Sequence, residues 1–240
     1  GTPLIYASRM SAKVDSAAVQ DGYQIYHHTF FFTQSGQWAV VQQGMNEESR
    51  YARRYHWFSQ GVKDFVCEPH WAICCDQRRE GLNLVAVESK KTRQSIVDLS
   101  REKPHVLIAE GKKVNELHFP KEHPVPMEEI RLEKLEKMFI QIYEHGPGNF
   151  EELLGIRGVG PKSLRALTLI SELIHGTSPS FKDPTRFSFA HGGKDGHPYP
   201  VDRKIYDQTI EVLTGAIDKA KVGDREKMDA IRRLKEFNVK

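Results

Sequence analysis

Phe150-Glu-Glu-Leu-Leu-Gly-Ile-Arg-Gly-Val-Gly-Pro-Lys-Ser-Leu-Arg-Ala-Leu167 is the stretch on which the reading of this chain turns. Its apolar residues Leu153, Leu154, Ile156 and Val159 face Leu164 and Leu167 across a Gly158-Val159-Gly160 turn, the spacing of two short helices packed on each other. Gly158 and Gly160 permit a tight turn and leave backbone N–H groups uncovered. Pro161 sits in the first turn of the second helix, a position that suits it. Uncovered amides at the positive end of a helix suit a phosphate oxygen. Arg157, Lys162, Ser163 and Arg165 lie beside that anion site, so residues 157–160 with Lys162, Ser163 and Arg165 form the candidate nucleic-acid contact. A plain inter-helix turn is the alternative reading. Backbone contacts of this kind would position a duplex without reading its bases.

Outward from the hairpin, the chain divides. Downstream, residues 161–175 read as helix, residues 177–200 as a Gly/Pro-rich inserted loop, and residues 203–221 and 225–237 as two further helices separated by Gly223 and capped by Asp224. Upstream, Asn149 caps a short helix, His145-Gly146-Pro147-Gly148 stops another, and Ile130, Leu132, Leu135, Met138, Phe139, Ile142 and Tyr143 recur at helical spacing. Three prolines, Pro120, Pro124 and Pro126, mark a linker. Before it, residues 23–33 and 38–43 read as a β-hairpin closed by Gln34-Ser35-Gly36-Gln37, residues 82–87 as a third strand, and residues 88–99 as helix. The expected architecture is α+β: a mixed N-terminal unit over residues 1–120 packed with an all-helical hairpin domain over residues 121–240.

Composition sets outer limits. The chain has 240 residues, 39% apolar and 28% charged, ordinary for a folded globular protein and too apolar for a disordered one. No apolar run approaches the ~20 residues of a membrane helix, and no signal peptide opens the sequence. It starts Gly-Thr-Pro without methionine, as a truncated chain would. Three cysteines, Cys67, Cys74 and Cys75, cannot all pair, which favours a reducing, cytoplasmic setting. The net charge of +3 is informative only when divided: residues 1–146 carry 19 basic and 19 acidic groups, residues 147–240 carry 16 and 13. The excess lies with the hairpin.

The Gly158-Val159-Gly160 turn with its flanking apolar positions resembles the helix-hairpin-helix motif of proteins that bind DNA without sequence preference. A wider resemblance joins Gly158-Val159-Gly160-Pro161-Lys162 to Pro200-Val201-Asp202-Arg203-Lys204-Ile205-Tyr206. Together these segments are similar to the DNA glycosylase and abasic-site lyase branch of the helix-hairpin-helix superfamily. The resemblance implies a DNA-repair enzyme acting on damaged bases. Lys162 would be the amine that forms a Schiff base with the sugar, and Asp202 the carboxylate that stabilises an oxocarbenium-like sugar. Arg203 and Lys204, further candidate nucleic-acid contacts, stand where the family often has a small polar residue and histidine, and residues 177–199 would be an insertion. Structural roles remain open: Asp202 suits an N-cap, and Lys162 a phosphate contact. No cofactor is implied. The partner is double-stranded DNA, no membrane is expected, and a homodimer stays among the options.

The inserted loop holds His191, Lys194, Asp195, His197 and Tyr199. Lys194 adds a phosphate contact and Tyr199 a stacking ring, while the two histidines and the aspartate fall one ligand short of a metal site. In the first unit, residues 12–28, 36–45 and 52–57 are dense in polar side chains on apparent strands. These stretches resemble a prokaryotic family, common among archaea and thermophiles, whose members are described only as a domain of unknown function, and the similarity extends over nearly the whole chain. Strict alternation would put Gln24, Tyr26 and His28 on one face and would split Gln42 from Gln43. Gln24, His28, Gln42 and Tyr199 are therefore base-pocket candidates, with a satisfied buried network as the alternative for the strand residues. Asp15, Asp21 and Glu88-Ser-Lys90 give a further reading, a Mg²⁺-dependent nuclease; a non-catalytic DNA-binding repair module is another. Adjacent Cys74 and Cys75 with Cys67 and His70 do not make a convincing zinc set, and no metal site is assigned.

Overall fold

A computed structural model describes residues 2–116, 132–185, 203–221 and 223–236. It opens with a helix that the sequence conceals. Ala7, Met10, Val14, Ala17 and Ala18 are all buried, and their spacing of three and four winds α1 (Thr2–Lys13) and a five-residue π-helical turn (Val14–Ala18). Small residues carry that periodicity, so residues 12–18 read as strand by composition while packing as helix. The wider turn places Asp15 in the interior, at 1% exposure.

The main sheet is an antiparallel meander of β2 (Gln24–Phe32), β3 (Trp38–Met45), β4 (Ala52–Phe58) and β5 (Ala72–Cys74), in that spatial order. It follows the two-residue strand β1 (Val19–Gln20), which pairs separately with β6 (Leu82–Asn83). The expected β2–β3 hairpin forms, its turn closed by Thr33 and Gln37 with Gly36 at φ +83°. Its register carries one irregularity: Ile25 faces Gly44, but His27 faces Gln43. This bulge at Tyr26 reverses the alternation, so Gln24 and His28 lie on opposite faces rather than sharing one.

The third strand expected over residues 82–87 stops at Asn83, because side chains take the carbonyls a ladder would use. Ser89 Oγ donates to Asn83 O at 2.6 Å, and the Arg93 guanidinium donates to Leu84 O and Ala86 O at 2.6 and 2.7 Å. Helices α2 (Lys90–Leu99) and α3 (Pro104–Glu116) follow. No element is expected at α3 from the sequence, although Pro104 in its first turn is a start signal. Then come α4 (Leu132–His145), α5 (Phe150–Gly155) and α6 (Pro161–His175). Asn149 Oδ1 accepts the Glu152 N–H at 2.9 Å, capping α5. Gly176, at φ +61°, closes α6 in the left-handed conformation.

One continuous core joins the sheet to the hairpin helices: Trp57, Leu84 and Ile96 belong to the same buried cluster as Phe139, Leu153 and Leu164. Contacts group the chain into two compact units, Gly1–Phe189 and Ala190–Lys240. In the second, α7 (Arg203–Lys219) packs against α8 (Asp224–Glu236). The fold is α+β. Among the described residues, no helix is long and apolar enough to cross a membrane.

Candidate nucleic-acid interface

The α5–α6 turn is built so that most of its carbonyls are occupied while four of its amides are not; the Val159 N–H is the engaged one, on Ile156 O at 3.2 Å. Gly158 holds φ +90°, and Val159 is buried beneath it at 1% exposure. Lys13, in the last turn of α1, sends Nζ to Val159 O at 2.6 Å and to Ile156 O at 3.3 Å. Gln141 Nε2 donates to Arg157 O at 3.1 Å, and Gln20 Nε2 to Pro161 O at 3.1 Å. The Leu164 N–H takes Gly160 O at 3.1 Å. Three side chains from three separate elements thus hold four turn carbonyls. The N–H groups of Gly158, Gly160, Lys162 and Ser163 have no acceptor among the described residues. A turn with donors to spare suits an anion.

Charge reinforces that geometry. Arg157 and Lys162 are exposed, Ser163 is buried and Arg165 half-buried. Burial pushes the Lys13 ammonium below the ordinary lysine range, and the neighbouring Arg9 charge pushes it further in the same direction.

Beside the turn lies a cleft of about 610 Å³. Pro161 and Arg165 of α6 form one wall, Val19 and Leu82 supply apolar surface, and Gln24, Arg79 and Glu80 supply polar groups. Gly81 closes the back: a Cβ there would lie 2.5 Å from Gln20 O, so only glycine lets the two segments approach. Of the base-pocket candidates among the described residues, Gln24 lines this cleft.

His28 and Gln42 belong elsewhere. Gln42 is fully buried, and its Nε2 donates to Ser11 O at 3.1 Å and to Asp15. Both partners only accept, which turns Gln42 Oε1 toward His28 Nδ1 at 3.0 Å. His28 must then donate from Nδ1, so its Nε2 accepts the Ser8 hydroxyl at 2.9 Å. Asp15 also accepts from Trp57 Nε1 at 2.9 Å and pairs with His70 Nε2 at 2.5 Å. The polar strand face here is a satisfied internal network.

A second buried network stands behind the cleft. Arg53, with its side chain fully buried, bridges Asp21 and Asp183 at 2.7 Å each, and its guanidinium lies 4.4 Å from the Tyr23 ring centre. Tyr55 donates its hydroxyl to Asp21 at 2.7 Å, and Tyr23 its N–H at 3.2 Å. Burial raises the Asp21 carboxyl, opposed by Arg53 and Tyr55. At Asp183 burial also acts upward, but Thr185, Arg53 and the Arg79 N–H outweigh it and hold the carboxyl below its usual range.

The remaining sequence candidates are placed as follows. Asp202, Lys194 and Tyr199 lie outside the described residues, as do His191, Asp195 and His197. Arg203 and Lys204 open α7 in the second unit, with Lys204 exposed. Glu88 is exposed and pairs with Lys182 at 2.7 Å, while Asp15 and Asp21 each serve a buried network, so these three carboxylates are not brought together. Cys67, Cys74 and Cys75 are free thiols, and no cluster of three metal-ligating side chains forms among the described residues. Sequence reading missed Lys13, Gln20 and Gln141, whose contacts with the turn span 16 to 146 positions in several cases and leave no local pattern.

A profile of the family described as "Protein of unknown function (DUF763)" matches residues 1–201. No curated protein and no solved structure matches the chain.

Proposed function

The chain belongs to the DUF763 family, and since that membership carries no activity we propose from the hairpin that it is a DNA-repair enzyme, a helix-hairpin-helix glycosylase and abasic-site lyase that grips duplex DNA by its phosphates. The observation that carries the reading is the α5–α6 turn, whose carbonyls are held by Lys13, Gln20 and Gln141 while four amides keep their donors. A phosphodiester supplies the acceptors that those amides lack, and the exposed Arg157 and Lys162 supply counter-charge.

Lys162 is the amine. Its neutral nitrogen displaces the base at C1′, and the base departs with the bonding electrons and a proton. The C1′–O4′ bond then opens, O4′ taking the amine's second proton, and leaves a Schiff base, which acidifies C2′ so that loss of that proton expels the 3′ phosphate. Asp202 is the carboxylate that meets the positive charge developing on the sugar. The free thiols accord with a cytoplasmic setting.

Borohydride trapping on duplexes containing damaged or abasic nucleotides tests the chemistry. A covalent adduct is expected with the wild type and none with Lys162→Ala. No wild-type adduct, together with strand cleavage unchanged in Lys162→Ala, overturns the lyase mechanism. Salt-sensitive binding without any adduct would identify a binding module instead, and activity surviving EDTA separates the proposal from a Mg²⁺-dependent nuclease.

A further inference from the structure

We infer that the groove between the ends of α2 and α6 and one face of α3 is a docking site for a basic amphipathic helix of a partner protein. The inference uses nothing at the hairpin and is independent of the duplex-binding reading.

The groove encloses about 690 Å³ over an apolar floor. Leu99 and Leu107 are buried in it, whereas Val106, Leu173 and Ile174 remain 36%, 39% and 40% exposed. Large aliphatic side chains gathered in one concave site mark an interaction surface, as scattered single ones do not. The walls are helical, and no strand edge borders the groove among the described residues. An extended peptide would find no ladder of N–H and C=O groups there. A helix satisfies its own backbone and can lay one apolar face on the floor.

Charge selects the partner. Asp98, Glu102 and Glu110 stand on the rim with a single lysine, Lys113. Lys113 pairs with Glu110 at 2.7 Å, which leaves the exposed Asp98 and Glu102 without a cation among the described residues. Asp98 accepts one neutral hydrogen bond, from Gln94 Nε2 at 3.1 Å. The neighbouring Arg101 guanidinium is engaged by the Gly148 and Pro147 carbonyls at 3.3 and 3.5 Å. His175 adds no charge: Ser171 donates to Ser95 Oγ at 2.6 Å, so Ser95 turns its own proton to His175 Nδ1, 2.6 Å away, and a ring that accepts is neutral. This rim is acidic on a chain whose net charge is +3. It repels a DNA duplex or an anionic membrane and attracts lysine and arginine. A helix with basic residues flanking an apolar stripe complements floor and rim together.

The groove is also held in shape before a partner arrives. The chain of bonds from Ser171 through Ser95 to His175 fastens the last turn of α6 to α2. Arg101 fastens the α2–α3 connection to the Pro147–Gly148 segment. Leu99 and Leu107 belong to the central core. Fixed walls leave little ordering to be done on binding.

Fluorescence anisotropy tests the inference with two labelled peptides of about 14 residues, long enough to form a helix on binding. Both carry leucines at helical spacing, one with lysine and the other with glutamate at the remaining positions. The lysine peptide is expected to bind the full chain about tenfold or more tighter than the glutamate peptide, and to weaken as salt rises. Leu173→Ser, at an exposed floor position, and Glu102→Lys, on the exposed rim, should each lower its affinity about fivefold or more. Glu47→Lys makes the same charge change on the exposed β3–β4 connection and should bind as the wild type does. No binding of the lysine peptide, equal affinity for both peptides, or binding indifferent to both Leu173→Ser and Glu102→Lys overturns the inference. A loss in Glu47→Lys as large as that in Glu102→Lys also overturns it, since the attraction would then be to overall charge. A dimer in sedimentation velocity that Leu173→Ser dissolves would make the groove a contact between copies of this chain, and the partner helix would be refuted.

Discussion

The hairpin turn and the polar belt beneath the sheet use the same groups to opposite ends. In the belt, each buried carboxylate is saturated by its own chain: Asp15 receives Gln42, Trp57 and His70, and Asp21 receives Arg53, Tyr55 and the Tyr23 N–H. These carboxylates are spent on the fold's own donors, although the buried Arg53 Nε has no acceptor among the described residues. At the turn, side chains hold four acceptors and four amide donors are left. A buried polar group must find a partner or cost the fold its desolvation energy, whereas an exposed amide can wait in water for an anion. Saturation therefore marks architecture, and one-sided saturation marks a site. The belt reaches the cleft directly through Asp21 and Tyr23, and through Asp183, which connects Arg53 to the cleft-lining Arg79.

Breaking the belt should have the largest effect. Arg53→Met strips Asp21 and Asp183 of their shared buried cation and should cost about 3–5 kcal/mol, read from the urea midpoint. An unchanged midpoint would mean that the two carboxylates find other partners, and the contrast between belt and turn would fail. Changes at the turn should cost less stability and more function. Gly158→Ala forces an L side chain to φ +90° and brings its Cβ to 2.6 Å from Met138 Cε, so a loss of about 1–2 kcal/mol is expected, together with weaker duplex binding. Gly160→Ala separates the two consequences. Its φ of −144° suits any residue and the nearest atom to a new Cβ is 3.8 Å away, so stability should hold while the added methyl obstructs the phosphate. If both variants bind duplex as the wild type does, the amides are not the contact.

A smaller, titratable share of the belt can be read from pH. Asp183 is held below the ordinary carboxylate range in the fold. Its contribution to stability is therefore complete above the unfolded-state value, near pH 4, and is lost as pH falls through the lower folded-state value. Thermal melts taken from pH 5 down to pH 3 should show a steeper decline for the wild type than for Asp183→Asn. Parallel curves would remove Asp183 from the set of strongly held carboxylates.

How much of this was visible beforehand follows from how each part is encoded. The hairpin was legible because a backbone-made site writes itself locally: glycines for the turn, Pro161 for the helix start, and leucines at helical spacing on either side. The β2–β3 hairpin was legible for a similar reason, through its turn residues and aromatic strands. Helix α1 is hidden because its buried face is short and mixed, Ala7, Met10 and Ser11, and α3 because Pro104 alone marks its start. The bulge at Tyr26 adds a single residue to one strand, which no alternation rule foresees, and it decided which polar residues reach the cleft. Gln24 and His28 were grouped by periodicity, yet one lines the cleft and the other joins Ser8 and Gln42. The tethers Lys13, Gln20 and Gln141 act across long stretches of chain, and nothing local announces them. Fold class thus followed from local chemistry, whereas the choice among polar residues depended on tertiary closure.

The smallest expected effect on stability gives the cleanest test of the turn. Arg157 is exposed, and among the described residues only its carbonyl is engaged, by Gln141. Arg157→Ala should therefore shift stability by no more than about 0.5 kcal/mol. If its guanidinium neutralises a phosphate, removing it should lower the slope of log affinity against log salt by about 0.9, the release of one condensed counterion from duplex DNA. The loss should be uniform across sequences, because a phosphate contact carries no base information. Gly160→Ala should behave differently: it blocks neutral amides, so affinity should fall at every salt concentration with little change in slope. That divergence between a charged and an uncharged contact, measured on one turn, distinguishes a phosphate held by backbone donors from a duplex attracted by charge alone. A slope unchanged in Arg157→Ala would place the bound phosphates away from residue 157, and a slope that collapses in Gly160→Ala would mean the amides serve only to position the cations.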